Sequence, residues 1–323
     1  MSASTEIPAD LVFVGGTGRS GTHIVSYLLD RHSRFHGVPI ECRFHCNPKG
    51  LADLVLGRTD PDDFLRKLRG YWWHRVRIGE RVYVKAKWRA LGRGRVRGLH
   101  TIVDRAVFDA AADRFERTHG DDLLAASRTL FYDLLGPLAE RAGKPVLVEM
   151  SCFTIAAADG LARIFPEARF VHSVRDGRDS GSSKVSLRQK PHHPTDVVSG
   201  IEFWAERLRQ AEEGVRRLSA ADRERLHVVS LDELVDTDRE ASYAALLEFL
   251  GIDDEPSMRE FFETEMSGGA AHQERWRTGL DLLEQEEVTR IYDRTLERLE
   301  LEGYHCAPIL RRSFERALLR TRA

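Results

Sequence analysis

The chain has 323 residues, of which 42% are hydrophobic, and its formal net charge is -2. This length supplies one large or two small hydrophobic cores, and the near-neutral charge gives no overall reason to expect a nucleic-acid partner. No apolar run approaches the roughly 18 residues that a membrane span needs, and residues 1–10 are polar and acidic. The sequence therefore predicts a cytoplasmic chain with neither a signal peptide nor a transmembrane segment.

A phosphate-binding loop is predicted at residues 11–23. Four apolar residues lead into a stretch with four glycines, and helical periodicity begins directly after it. A short apolar run is typical of a buried parallel strand, and a glycine-rich turn lets backbone N–H groups face an anion. The positive N-terminus of the following helix would lie at the same anion.

The loop differs from the Walker A pattern of ATP-binding proteins. Counted from Gly16, the second glycine falls correctly at Gly21, but the lysine position holds Thr22 and the magnesium-binding hydroxyl position holds His23. A cation stands three residues earlier, at Arg19. We therefore expect a phosphate-bearing donor that is bound through arginine without a metal ion.

An acidic residue that is a candidate for catalysis follows the first predicted helix. Gly37 and Pro39 indicate that residues 35–45 form a loop or a strand at the edge of the sheet. In an open α/β sheet this segment runs back beside the phosphate site, so Glu41 is a candidate to face the reactive end of the donor. A surface ion pair between Glu41 and Arg43 explains the same residues equally well.

Four cysteines are too few and too scattered for a disulfide framework. Cys42 and Cys46 stand on either side of His45, but a pattern of this kind without a second pair is weak support for a metal site. We expect no metal.

Residues 42–143 show no regular alternation of strands, and hydrophobic spacing predicts helices around 61–68, 102–115 and 121–142. Residues 66–97 hold 12 Lys or Arg and one acid, interleaved with aromatic residues. Such a stretch binds nucleic acid, binds an anionic or sugar-like substrate, or forms a solvated face. Because the patch is local, we favour an acceptor-binding insertion over a nucleic-acid site.

The alternation of strands and helices returns after residue 143. Apolar runs at 144–149, 168–175 and 227–231 predict strands. Arg175 ends the second of these strands and Ser183 lies about two turns into the next helix, so both fall near the ligand crevice at the carboxyl edge of the sheet. An ion pair of Arg175 with one of the next two aspartates is the alternative.

Residues 266–274 form a Gly/Ala-rich loop that ends in Arg275, Trp276 and Arg277. A loop of this kind can fold over a nucleotide, with the indole stacked on the base and the arginines bound to phosphate. A mobile surface loop fits the same residues. The basic segment 310–320 predicts either an amphipathic docking helix or a partly disordered tail.

Strands that alternate with helices, without repeats or a low-complexity linker, predict one α/β domain over residues 1–323. We expect three layers, with a mainly parallel central sheet flanked by helices. Residues 42–143 would form a largely helical, basic insertion that binds the acceptor. The sequence leaves open whether the chain forms a homo-oligomer.

Taken together, these segments resemble the sulfotransferases that use 3′-phosphoadenosine 5′-phosphosulfate (PAPS). Residues 18–22 (Gly-Arg-Ser-Gly-Thr) look like their 5′-phosphosulfate loop in its bacterial, arginine-containing form. Residues 175–183 look like their 3′-phosphate motif, an arginine followed eight residues later by a serine. Residues 228–252 are similar to the family's strand, turn and helix, and residues 275–277 resemble the element that covers the donor.

The resemblance covers about residues 10–35 and 145–300. It implies a P-loop-like fold and a metal-independent, in-line transfer of a sulfuryl group from PAPS to a hydroxyl of a small molecule, glycan, lipid or natural product. It further implies that Arg19 stabilises the transferred charge and that Glu41, with His45 as the reserve, takes the acceptor's proton. The donor-binding residues that it implies are Thr17, Gly18, Arg19, Ser20, Gly21, Thr22, His23, Arg175, Ser183, Arg275, Trp276 and Arg277.

Two other functions stay open at this point. A small-molecule kinase that uses ATP and Mg would share the P-loop scaffold, although the absent Walker lysine argues against it. A non-catalytic nucleotide- or nucleic-acid-binding protein would use the basic stretch at 66–97.

Overall fold

The structure is a computed structural model that describes residues 11–74, 76–78, 81–83, 95–96, 98–186 and 193–322. Its strands are β1 (Leu11–Gly16), β2 (Phe35–Gly37), β3 (Val76–Ile78), β4 (Arg81–Tyr83), β5 (Arg95–Val96), β6 (Val146–Glu149), β7 (Arg169–Val174) and β8 (Leu226–Ser230). Its helices are α1 (Thr22–Asp30), α2 (Leu51–Val55), α3 (Pro61–Lys67), α4 (Arg105–Thr118), α5 (Leu123–Ala142), α6 (Ala158–Ile164), α7 (Gly177–Val185), α8 (Val197–Arg216), α9 (Ala220–Glu224), α10 (Arg239–Leu250), α11 (Pro256–Glu265), α12 (Leu282–Leu301) and α13 (Ala307–Arg322).

A five-stranded sheet lies at the centre of the molecule, in the order β2-β6-β1-β7-β8, and every neighbouring pair is parallel. Four of these strands are the apolar runs that the sequence predicts, and the fifth, β2, is the short strand at the edge. Because the strands are parallel, their carboxyl ends share one edge of the sheet. The strand order reverses on either side of β1, which is the position where open α/β sheets bind ligands.

Helices cover both faces of this sheet. Leu11 and Phe13 of β1 belong to one buried cluster, which also holds the apolar faces of α5 and α6. Val12 and Val14 point to the opposite face and belong to a second cluster with residues of α1 and α10. Alternate residues of one strand are therefore buried on opposite sides, as expected for a parallel sheet between two helical layers. The predicted three-layer α/β fold is confirmed.

The segment between β2 and β6 contains α2 to α5. In the described residues it also contains a three-stranded antiparallel sheet in the order β4-β3-β5. The sequence does not predict this small sheet, because its strands are only two or three residues long and carry arginines between the apolar positions. Phe64 and Phe108 of the insertion share a buried cluster with Phe13. Much of the basic stretch 66–97 lies outside the described residues, so its role in acceptor binding stays a prediction.

The basic C-terminal segment is a docked helix. Leu310 and Phe314 of α13 are buried, while Arg312 on another face donates from Nε and Nη2 to the two carboxylate oxygens of Glu233, at 2.8 and 2.9 Å. Arg316 donates to the same carboxylate at 3.2 Å. Two-pronged arginine–carboxylate pairs are among the stronger polar contacts in proteins, so α13 is fixed to the turn that follows β8.

Candidate active site

The loop between β1 and α1 has an unusual backbone. Gly18, Arg19 and Gly21 have positive φ angles of 76°, 67° and 91°, a region that favours glycine. Arg19 is the residue among these three with a side chain, and strain of this kind is concentrated at functional sites. At Gly16 a Cβ would lie 2.3 Å from the carbonyl oxygen of Ser173. The glycines therefore permit a tight, concave turn in which backbone N–H groups are suited to an anion.

The remaining loop residues differ in exposure. Ser20 is fully buried, and its Oγ has no hydrogen-bond partner among the described residues. Thr22 begins α1 and is also buried, whereas the Thr17 hydroxyl donates to the next carbonyl at 3.4 Å. His23 is exposed and packs edge-on against the ring of Tyr27. An orphaned buried hydroxyl in native proteins calls for an explanation, and a ligand bound in the loop would supply a partner for Ser20.

Arg19 joins the loop to α7. Its Nε donates a hydrogen bond of 2.8 Å to the Oγ of Ser183, across 164 positions of sequence. The loop and the serine of the second predicted anion motif are therefore neighbours. A ligand with two anionic groups would find both motifs within the same site.

Arg175 follows β7 directly and is buried. Its Nη2 donates to the carbonyl oxygens of Ala271 and His272, at 2.6 and 3.0 Å, and lies 3.7 Å from Oδ2 of Asp179. Its Nε is buried without a hydrogen-bond partner in the described part of the chain. The sequence leaves Arg175 as either a ligand-binding residue or the partner of an aspartate. The structure is compatible with both, because an ion pair with aspartate is present and one N–H donor remains for a ligand.

The guanidinium groups of Arg19, Arg175 and Arg275 lie close enough to repel one another. Partial desolvation, followed by the charges of Arg175 and Arg275, holds the pKa of Arg19 below its ordinary value, and the charge of Glu41 acts in the opposite direction. Like charges that act on Arg19 from two sides of the sequence favour an anion beside it. Together with the orphaned Ser20 Oγ and Arg175 Nε, they form a donor set that fits a ligand with two anionic groups.

Trp276 and Arg277 do not face this donor set. Trp276 is 1% exposed, and the guanidinium carbons of Arg178 and Arg277 lie 4.6 and 4.5 Å from its ring centroid. Arg277 donates to Gln285 of α12 at 2.8 Å. The ring is part of the core between α7 and α12, and the stacking of the indole on a base stays a prediction. Of the two arginines, Arg275 is the one near Arg19.

Glu41 lies between β2 and the insertion, and its side chain is 9% exposed. Its carboxylate forms an ion pair with Arg43, as the alternative interpretation of the sequence has it. Its charge also reaches Arg19 and the thiol of Cys152, and burial followed by this charge raises the pKa of Cys152 to about 11. The structure therefore brings Glu41 next to the anion-binding loop, and its role as the base stays a prediction.

His45 is part of the core. Its side chain is 0% exposed, its ring stacks on Phe13 with centroids 5.4 Å apart, and its Nε2 lies 2.9 Å from Oε2 of Glu149. Glu149 also accepts hydrogen bonds from the backbone N–H of Cys42 and from Ser151. Burial acts to raise the pKa of Glu149, but His45 and Ser151 outweigh it and hold this pKa below its ordinary value. The reserve assignment of His45 as the base is wrong, because a buried imidazole has no access to an acceptor.

The sequence analysis missed a cluster of three carboxylates at the ends of β7 and β8. Asp176, Asp179 and Asp232 line a cavity of about 440 Å³. Burial, followed by the charge of Asp176, raises the pKa of Asp179 to about 7 and that of Asp232 to about 6. The signal was an aspartate two residues after the end of each strand, at the edge where parallel sheets collect functional groups.

The fold and the site together define a class of protein. The chain is a P-loop-like α/β protein in which an arginine-bearing loop and a second arginine–serine pair meet at the carboxyl edge of the sheet, with a carboxylate beside them.

A profile described as the sulfotransferase family matches residues 10–256, which is more than half of the chain. The chain therefore belongs to the sulfotransferase family. No curated protein matches it. Across the described ranges, no helix combines the length and the apolar composition that crossing a membrane requires.

Several solved structures are similar to the chain at low identity. The sulfotransferase domain of the Synechococcus PCC 7002 olefin synthase is 15% identical, with 91% of this chain and 96% of that chain covered and a TM-score of 0.46. The sulfotransferase domain from the curacin biosynthetic pathway is 16% identical, with 93% and 99% covered and a TM-score of 0.47. Sulfotransferase STF9 from Mycobacterium avium is 16% identical, with 90% and 76% covered and a TM-score of 0.44.

Proposed function

We propose that the chain transfers a sulfuryl group from PAPS to a hydroxyl of a small molecule, glycan, lipid or natural product. The observation that carries the proposal is the hydrogen bond of 2.8 Å from Arg19 to Ser183. PAPS has a phosphosulfate at the 5′ position and a phosphate at the 3′ position of one ribose, so its binding needs two anion sites side by side. The Arg19–Ser183 contact joins two such sites.

Different residues would hold the two ends. Residues 17–22, with Arg19 and the orphaned hydroxyl of Ser20, suit the 5′ group. Arg175, through its unpartnered Nε, and Ser183 suit the 3′ phosphate. When bound, PAPS supplies an activated sulfuryl group attached to a phosphate that leaves readily.

Arg19 is the residue that we assign to charge stabilisation. Sulfuryl transfer should follow the pattern of phosphoryl transfer, in which negative charge spreads over the non-bridging oxygens of the group in flight. The Arg19 guanidinium and the loop N–H groups would surround the place where this charge develops. Preorganised donors of this kind contribute about 3–4 kcal/mol each to the stability of a transition state.

Glu41 is the residue that we assign to proton removal. A carboxylate that is mostly buried and close to the anion-binding loop is placed to accept the proton of an acceptor hydroxyl. Arg43, which pairs with it, would hold the carboxylate in place before the acceptor binds.

The kinase alternative has less support. The position of the Walker lysine holds Thr22, which is buried at the start of α1 and has no cationic group to offer a phosphate. The cations at this site are arginines, which suit phosphate and sulfate oxygens through paired N–H donors.

The test is transfer of labelled sulfur. The wild-type protein is incubated with sulfur-labelled PAPS and a library of hydroxyl compounds, with and without EDTA, and labelled products are separated by mass. We expect a labelled product that is insensitive to EDTA and that forms at a strongly reduced rate with the Arg19→Ala variant. Transfer of the terminal phosphate of ATP that requires Mg, without any transfer from PAPS, would contradict the proposal.

A further inference from the structure

Residues 267–277 are held against the carboxyl edge of the sheet by buried polar side chains. Oδ2 of Asp179 accepts the backbone N–H of Glu274 at 2.9 Å, and Oδ1 accepts that of Trp276 at 3.3 Å. Arg175 donates to the carbonyl oxygens of residues 271 and 272. The segment thus has one carboxylate on its N–H groups and one guanidinium on its carbonyl groups.

Arg275 lies between the two N–H groups that Asp179 holds. Its own side chain is exposed, yet its charge reaches Arg19 on the loop after β1. Glu274 has a positive φ of 58°, a conformation that a non-glycine residue keeps only where its surroundings fix it. The hydrogen bonds on either side of Arg275 supply that constraint.

We propose that Asp179 is a positioning residue that, as a carboxylate, holds the backbone of residues 274–276 and so keeps Arg275 facing Arg19. Its partner is the 267–277 segment of the same chain, and its effect on the bound donor passes through Arg275. The part of this proposal that concerns donor binding rests on the proposed function.

The surroundings of Asp179 make this contact dependent on pH. Burial, then Asp176 and Asp232, raise its pKa to about 7, while Arg175 and the N–H of Glu274 act to lower it. Hydrogen bonds to N–H groups stabilise the ionised carboxylate, so the contact should strengthen as the pH rises through about 7. The other charged groups near it are Arg178 on α7 and, on the cavity wall, Asp236, Glu274, Arg277 and Arg320. Tyr292 on α12 interacts with the neighbouring Asp176 and Asp232.

The same charge should weaken the fold. Because the folded pKa of Asp179 is raised from 3.8 to about 7, stability is lost as the pH rises between these values. Asn at this position imitates the protonated acid and removes that loss. Asp179→Asn should therefore keep or increase Tm near pH 8 while it weakens the contact, which separates a positioning role from a general structural one.

The experiment measures backbone amide exchange in the free, full-length protein, corrected for intrinsic rates, at about pH 6 and about pH 8. The variant is Asp179→Asn. The matched control is Asp236→Asn, since Asp236 lines the same cavity and pairs with Arg320. In the wild type and the control, protection of the Glu274 and Trp276 amides should rise with pH. In Asp179→Asn it should be lower at pH 8 by roughly tenfold and independent of pH.

Equal protection of these amides in Asp179→Asn and Asp236→Asn would overturn the proposal, as would a loss of protection throughout the chain. A second titration measures adenosine 3′,5′-bisphosphate affinity, which Asp179→Asn should weaken by roughly tenfold relative to the control. If the wild type does not bind the bisphosphate, the proposed function fails, while the exchange result still decides the role of Asp179.

Discussion

The carboxyl edge of the sheet and the 42–143 insertion are built in different ways. At the sheet edge each candidate residue follows a strand closely: Arg19 after β1, Glu41 after β2, and Arg175 after β7. Strand order alone brings these positions together. The insertion has no such rule, because its helices and small sheet lie between β2 and β6 without adding a strand to the central sheet.

This difference separates the two halves of the proposed reaction. Donor binding is proposed for residues that follow strand ends. Because a parallel sheet brings its strand ends together, short sequence motifs are enough to predict these residues. The insertion is tied to the sheet through aromatic residues such as Phe64 and Phe108, and that core carries no information about an acceptor. Variants at the sheet edge should therefore change donor binding or turnover. Variants in the buried core that the insertion shares with the sheet (the shared core) should change the free energy of unfolding.

Glu41→Gln should have the largest effect on turnover. Loss of a general base typically lowers the rate by roughly 10²–10⁴-fold, and the neutral amide cannot accept the acceptor's proton. Affinity for adenosine 3′,5′-bisphosphate should change little, since Glu41 does not belong to the anion-binding donor set. Turnover of PAPS and calorimetric binding measure the two quantities. Full turnover in this variant would show that another group is the base.

Glu149→Gln tests the stability of the shared core and not the transfer reaction. Removing one member of a buried ion pair typically destabilises a fold by about 3–5 kcal/mol, and here the partner is His45. Because the folded pKa of Glu149 is below its ordinary value of 4.5, its contribution is present above that value and is lost as the pH falls.

The free energy of unfolding in urea, for wild type and Glu149→Gln, should therefore differ most near neutral pH. This difference in the free energy of unfolding should become smaller at acidic pH. A difference that does not depend on pH would show that the carboxylate charge is not what stabilises this region.

Arg19→Ala should lower PAPS turnover by roughly 10²–10³-fold, the usual effect of removing one donor to a developing anion. The Ser183 hydroxyl would lose its partner as well. Arg34→Ala, in the turn between α1 and the amino end of β2, is the control. Steady-state turnover of both variants makes the comparison, and similar rates would remove Arg19 from the mechanism.

Arg275→Ala and Arg277→Ala should differ by a smaller factor. Arg275 is exposed and its charge acts on Arg19, so its loss should weaken bisphosphate binding several-fold, more at low ionic strength than at high. Arg277 donates hydrogen bonds to Gln285 and Glu274, and its loss should leave the affinity for the bisphosphate close to that of the wild type. The titration is repeated at two salt concentrations. Equal effects of the two substitutions would contradict the placement of Arg275.

Much of the fold follows from local sequence patterns. The apolar runs predict β1, β6, β7 and β8, and the mismatch with the Walker pattern identifies Arg19 as the loop's cation. The three-residue strand β2 and the strands of the insertion are too short to give a periodic signal.

Partners that are remote in sequence decide the surroundings of three residues at the site. His45, Trp276 and Asp179 each depend on a partner that is remote in sequence: Glu149 for His45, Arg178 for Trp276, and Glu274, 95 positions away, for Asp179. Local spacing shows that a polar or aromatic residue is present, but burial is decided by the elements that pack on it. Strand ends place Arg19, Glu41 and Arg175 at one edge of the sheet, whereas tertiary packing decides the burial of His45, Trp276 and Asp179.

The central claim is that Arg19, Arg175, Arg275 and Ser183 form a site for a nucleotide with two anionic groups. Its most direct test is calorimetric titration with adenosine 3′,5′-bisphosphate, with ATP as the control and with and without Mg²⁺. We expect binding of the bisphosphate that is unaffected by Mg²⁺, is stronger than that of ATP, and is lost in Arg175→Ala. No binding of the bisphosphate, or a preference for ATP with Mg²⁺, would contradict it.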